Sequence, residues 1–222
     1  MCDLGMAGKY SKDELKEMLQ RATFKIVAKS GIESITVRKI AEGCNLTAPY
    51  IYQCYADIPE LLRDSFFKID KEIAGFIGKI PQIQTPLPDK KRELEQIAWI
   101  VWNRYWDYLM KDSDRAIFYW RFYQSGYYNS DILKERQRYY QPIFKYAYDV
   151  SQILNAPKNV ELRAVITSII DDTTSVAVKI HLGYISKDAL ATNLIYRTVF
   201  SLLFYLMGID IWEKRIAFPE AD

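Results

Sequence analysis

The sequence predicts an all-α protein, with a small N-terminal three-helix unit built on a helix-turn-helix and a larger helical domain after it. Apolar residues recur at helical spacing almost throughout, and no strict alternation or internal repeat stands out. The stretch from Thr36 to Tyr55, TVRKIAEGCNLTAPYIYQCY, sets two short helical patterns at a tight corner. Capping residues and breakers punctuate the chain at helix-length intervals. With 222 residues, half of them hydrophobic, the chain can bury a substantial core and is too apolar to be disordered.

The first helix begins at a capping box, Ser11 with Glu14, and turns Leu15, Leu19, Ala22 and Ile26 to one face before Gly31 ends it. Lys16, Lys25 and Lys29 fall off that stripe and belong to a solvated face; Lys9 and Lys12 precede the helix on an N-terminal arm. At the corner, Val37, Ile40 and Ala41 give one helix its apolar face, and Ile51 with Tyr55 gives the next its own. Gly43 to Asn45 supply the turn, since asparagine tolerates a left-handed backbone; Thr36 and Thr47 each stand where a hydroxyl caps a helix start. Asp57 and Glu60, with Pro59 between them, open a further helix to about Lys79, where the proline-rich KIPQIQTPLPDK breaks it. From Arg92 onward every segment is helical in pattern. Breaks fall near 111–114, 126–130, 155–158 and 183–186, and Pro142 is expected to kink or restart a helix.

Two short helices at a corner bury little alone, so a third must hold them while the second presents its outer face; DNA is the natural partner. The segment from Leu15 to Leu62, through LQRATFKIVAKSG and IESITVRKIAEGCNLTAPYIYQCYADIPELL, resembles the N-terminal domain of the TetR family of bacterial transcriptional regulators. That resemblance implies a DNA-binding domain over 1–57 and a helical ligand-binding and dimerisation domain over 58–222. By position, Ala48, Pro49, Tyr50 and Gln53 would lie at or near base edges in the major groove. Gln53 suits adenine, and Ala48 and Pro49 suit a thymine methyl. Arg38 would reach a guanine or a phosphate, and Thr36, Thr47 and Tyr52 would donate to phosphates. The family pattern carries a lysine where this chain has Ile58, so that lysine's phosphate contact is absent. Formal net charge is only +2, which makes any attraction to DNA local.

Rings are concentrated downstream: Trp99, Trp102, Tyr105, Trp106 and Tyr108 in one helix, and seven more between Phe118 and Tyr128. One helix face cannot bury them all, which predicts a pocket for a flat or apolar small molecule, walled by Trp102, Tyr105, Trp106, Trp120 and Tyr123. The last two long patterns, about 160–182 and 187–207, carry wide apolar faces. Val165, Ile166, Ile169, Ile170, Val176 and Ile180 line one, and Leu194, Val199, Leu202, Leu203 and Leu206 the other. The resemblance gives these two the homodimer interface. Asp171 and Asp172 interrupt the first face as partly solvated polar groups, and His181 is expected to be buried and satisfied.

Other classes are excluded in turn. Three cysteines, Cys2, Cys44 and Cys54, form no C-x-x-C pair, and with one histidine no metal site or other cofactor is expected. Cys54, on the recognition helix, is the place where oxidation would touch DNA binding. Nucleophile motifs and phosphate-binding glycine loops are missing, so an enzyme is not expected. No secretory signal and no membrane-length apolar run occur, which predicts a cytoplasmic protein. The expected function is a ligand-responsive repressor that binds a palindromic operator as a homodimer. The alternative is a nucleoid-associated or cell-division DNA-binding protein on the same fold, without an effector.

Overall fold

The computed structural model describes residues 10–77, 90–157 and 161–210, which form helices and their connections with no strand among them. In chain order these are α1 (Lys12–Ser30), a 3₁₀ turn (Ile32–Ser34), α2 (Val37–Cys44), α3 (Ala48–Cys54), α4 (Ile58–Ile77), α5 (Lys90–Lys111), α6 (Ser113–Tyr123), α7 (Ser130–Ile153), α8 (Leu162–His181) and α9 (Ala189–Leu206). Cys2, Lys9 and residues 79–89 of the proline-rich segment lie outside the described residues. Packing divides the chain into two units, 1–73 with 109–137 and 74–108 with 138–222.

Local chemistry sets the helix ends. Ser11 and Glu14 form the reciprocal capping box of α1, and Gly31 closes the helix at φ 87°. Asp57 caps α4 through the Glu60 amide at 2.8 Å, but the Glu60 carboxylate accepts from the Ala56 amide instead of completing the box on Asp57. α2 ends in a Schellman motif: Asn45 sits in the left-handed region at φ 53°, its N–H bonds the Glu42 carbonyl, and the Leu46 N–H bonds that of Ala41. The ends of α7, α8 and α9 repeat this bonding at Asn155, Gly183 and Gly208. Pro142 neither ends nor restarts α7, which is assigned as helix from Ser130 through Ile153.

In the first unit α1 is covered on two sides. Leu15, Leu19 and Ala22 are buried as the stripe predicts, and Gln20, Thr23, Phe24 and Val27 are buried as well. The second face is covered because α6 packs along α1, with Phe24 and Phe118 ring centroids 4.9 Å apart. Phe66 of α4 stacks on Tyr119 at 5.0 Å and on Phe122 at 4.6 Å. Beside these rings lies a buried polar triangle. The Tyr119 hydroxyl and Arg136 Nε both donate to Asp70 Oδ1, at 2.7 and 3.1 Å, and Arg136 Nη2 donates to the Tyr119 oxygen at 2.9 Å. Asp70 is fully buried and Arg136 is 6% exposed.

In the second unit α8 packs on α9. Each helix is apolar on more than one side, so the single stripes expected from the sequence divide. On α9 Tyr196, Phe200, Leu203 and Phe204 point inward, as does Met207 just past its end, while Leu194, Leu202 and Tyr205 are 54%, 53% and 79% exposed. On α8 Ile166, Ile169 and Ile170 are buried, Val165, Val176 and Ile180 are half-buried, and Asp172 is exposed. His181 is half-buried, not enclosed.

Candidate nucleic-acid interface and ligand cavity

α3 is a seven-residue helix that shows two different sides. Ile51, Cys54 and the adjoining Tyr55 are buried, while Pro49, Tyr52 and Gln53 are exposed and Ala48 and Tyr50 half-buried. The buried side is fixed by a polar cluster. The Tyr55 hydroxyl donates to Asp64 Oδ2 at 2.8 Å, and Gln20 Nε2 donates to both the Tyr55 oxygen and Asp64 at 3.2 and 3.1 Å. Lys16 lies 3.7 Å from Asp64, so it joins this cluster and is not simply solvated. Burial and the neighbouring Asp64 carboxylate push the Tyr55 pKa far up, so its hydroxyl stays a donor. α3 is thereby tied to α1 and α4 at its C-terminal end, while Pro49, Tyr52 and Gln53 face solvent. In helix-turn-helix proteins the outer face and the N-terminal residues of such a helix enter a major groove.

Thr36 and Arg38 at the start of α2 and Thr47 at the start of α3 are also exposed. Thr36 caps α2 through the Lys39 amide at 3.2 Å, as expected. Thr47 does not cap α3. An N-cap side chain bonds the N–H of the second or third helical residue. Here the second is Pro49, which has none, and the Tyr50 N–H is taken by the Thr47 carbonyl at 3.1 Å. Arg38 is held by Glu42 at 2.8 Å on the exposed face of α2, so a phosphate or guanine would have to displace that carboxylate. Asn45 sets the angle between the two helices. Its change to alanine is expected to lower stability by about 1 kcal/mol, and Asn45→Gly to be close to neutral, as measured by urea unfolding.

The cysteines here are quiet. The Cys44 thiol donates to the Met18 carbonyl at 3.4 Å, and burial pushes its pKa up. Burial also raises that of Cys54, against the opposing charges of Lys12 and Lys16. A protonated thiol oxidises slowly, which works against a redox role for Cys54. Among the described residues no group of three or more His, Cys, Asp or Glu could hold a metal ion, and no helix is long and apolar enough to cross a membrane.

The second unit contains a half-open cavity of about 100 Å³ lined by α5, α7, α8 and α9, by Ile77, the last residue of α4, and by Met207 just past α9. Every lining side chain is aliphatic or aromatic except the thioether of Met207, among them Ile97, Val101, Trp102, Tyr105, Tyr146, Ile169 and Phe200. The polar ends of two rings are satisfied by α8: Trp102 Nε1 donates to Thr173 at 3.1 Å, and the Tyr105 and Thr174 hydroxyls bond each other. Of the five rings expected to wall a pocket, the structure brings Trp102 and Tyr105 to this cavity and leaves three off it. Trp106, one turn beyond Trp102, stacks on that ring at 5.2 Å and is buried behind it. Trp120 and Tyr123 belong to the other unit, where α6 spends its rings on α1 and α4 and Tyr123 sits under the Arg136 guanidinium at 5.4 Å. Sequence reasoning missed the aliphatic wall, because isoleucine and valine at helical spacing look the same in a core and in a cavity.

No protein-family model matches the chain, and no curated protein is similar to it in sequence. Solved structures are similar in fold. A TetR family transcription regulator from Marinobacter aquaeolei VT8 superposes with a TM-score of 0.70 at 15% identity, over 85% of this chain and 95% of that one. A TetR-family transcriptional regulator from Haemophilus influenzae Rd gives 0.62 at 17% identity, over 85% and 96%. The transcriptional regulator FadR from Bacillus subtilis, in complex with stearoyl-CoA, gives 0.59 at 15% identity, over 87% and 99%. The all-α fold expected from the sequence is therefore the fold of these regulators.

Proposed function

We propose that this chain is a cytoplasmic transcriptional regulator, not an enzyme: a ligand-responsive repressor that occupies a palindromic operator as a homodimer. The observation that carries this reading is α3, buried and bonded through Ile51, Cys54 and Tyr55 and open on its other side, where Pro49 and Gln53 are exposed and Ala48 and Tyr50 half-buried. In this reading those four meet base edges, while Thr36, Thr47, Tyr52 and Arg38 hold phosphates. The division of labour falls near Asp57, with DNA contact before it and ligand binding and dimerisation after it. The cavity in the second unit is the effector site. α4 offers a covalent route between the two functions, since only three residues separate it from α3 and it ends on the cavity wall. Reversing a two-state equilibrium fully asks for roughly 10⁴-fold preference for one state, so effector binding must reshape the cavity substantially.

Dimerisation is assigned to α8 and α9. Leu194, Leu202 and Tyr205 form an exposed apolar face on a helix whose other side is already packed. A two-fold dimer would set its recognition helices about 34–36 Å apart, one turn of DNA.

The test is titration of the purified protein into labelled DNA from just upstream of its own gene, at two salt concentrations with excess random competitor. Specific binding should survive the competitor and weaken with salt. Leu194→Glu with Leu202→Glu should sediment as a monomer and lose at least about tenfold in operator affinity, because half-site contacts then bind singly. A variant that stays dimeric would move the interface elsewhere.

A further inference from the structure

We infer that Glu42 is an intramolecular competitor for Arg38: its carboxylate holds that guanidinium off DNA phosphates and so sets the strength of sequence-independent binding. This rests on the reading of α2 and α3 as the DNA-binding face and adds a residue that tunes it.

Fixed charge is scarce on that face. From Gly31 to Ile58 the acids are Glu33, Glu42 and Asp57, and the bases are Arg38 and Lys39. α3, APYIYQC, carries no lysine, arginine, aspartate or glutamate, so within this stretch the charge attraction to phosphate falls to the two bases of α2. Both are exposed, and both are engaged by the protein itself. Lys39 Nζ donates to the Ser34 carbonyl at 2.8 Å, a neutral acceptor that leaves the ammonium charge in place. Arg38 Nε donates to Glu42 Oε1 at 2.8 Å, which cancels the charge.

This pair is badly placed as a support for its helix. Arg38 is the second residue of α2 and Glu42 the third from its end. The helix dipole favours the opposite order, acid in the first turn and base in the last, and an i, i+4 pair is also stronger with the acid first. The consequence of the pairing lies in DNA binding instead. An exposed ion pair is weak enough for a phosphate to exchange with it. Moving Arg38 onto a phosphate releases a counterion from DNA, but the Glu42 carboxylate is then left alone and gathers a cation, so net release is near zero. In Glu42→Gln that release is uncompensated.

Fluorescence anisotropy of a labelled random-sequence duplex, titrated with the full-length protein at about 50 and about 200 mM salt, tests this. Glu42→Gln should bind about tenfold more tightly than the unchanged protein at the lower salt and about threefold more tightly at the higher, a salt slope steeper by about 0.9. With Arg38→Met already in place, the same change should gain less than about threefold at the lower salt, because the guanidinium it would free is gone. The Arg38 and Glu42 side chains are 87% and 61% exposed, so neither change disturbs the core. An affinity no higher in Glu42→Gln, or an equal gain with and without Arg38, would overturn the inference. Selection of sequences from a random library on the same preparations separates it from the functional reading. A protein that enriches one sequence but is indifferent to Glu42→Gln keeps the regulator and loses the competitor. One that shows the expected gain but enriches no sequence keeps the competitor and loses the regulator, and one that binds no DNA loses both.

Discussion

Asp70→Ala is expected to lower the free energy of unfolding by about 3–5 kcal/mol, because it strips the carboxylate from a guanidinium that stays buried. Arg136 is 6% exposed, and its Nε donates to Asp70 Oδ1 at 3.1 Å. With total stabilities of about 5–15 kcal/mol, such a loss places the variant near the unfolding threshold at ordinary temperature. Asp70→Asn should cost less, since an amide oxygen still accepts from Tyr119 and Arg136. A double change, Asp70→Leu with Arg136→Met, should recover much of the deficit by removing both charges together. Urea unfolding of the four proteins checks the series; equal losses in the single and double variants would mean that packing, not charge, sets the cost.

Gln53→Ala should reduce specific operator affinity by about 1–3 kcal/mol, roughly ten- to a hundredfold, with little change in binding to random DNA. Gln53 is exposed on the open side of α3, so its loss disturbs no core contact and stability should hold within about 0.5 kcal/mol. Tyr52→Phe, which removes a phosphate donor, should instead weaken all sequences alike. Competition titrations with operator and random duplexes distinguish the two. A uniform loss in Gln53→Ala would move that residue from base reading to backbone contact.

What the sequence disclosed follows the range of the interactions involved. The α2–α3 corner was legible because its signals are local: Thr36 caps, Asn45 accepts the left-handed backbone, and Ile40, Ala41 and Ile51 bury on schedule. Thr47 failed as a cap for an equally local reason, the missing N–H of Pro49, which could have been seen beforehand. The aromatic surplus was legible as a surplus but not in its destination. Nothing near Trp120 or Tyr123 indicates that α6 lies along α1, whose sequence is about ninety residues earlier. Asp70 and Arg136 were invisible as a pair, because charges at helical spacing normally mark a solvated face, and only the tertiary fold brings the two together. The cavity lay between these limits. Trp102 and Tyr105 were found by their ring size, while the isoleucines and valines beside them look no different from core.

The unit that carries the helix-turn-helix is discontinuous in the chain, closed by residues 109–137. A ribosome making this protein therefore releases α1 to α4 before Phe118, Tyr119 and Phe122 exist to cover Phe24 and Phe66. At about 5–20 residues per second that interval lasts several seconds, during which the nascent segment holds exposed rings and an incomplete core. The helix-turn-helix unit is thus not completed until well over half of the polypeptide has been made. Products that stop short of residue 137 lack the covering rings of this unit, and those exposed rings make this interval the natural point for chaperones to engage.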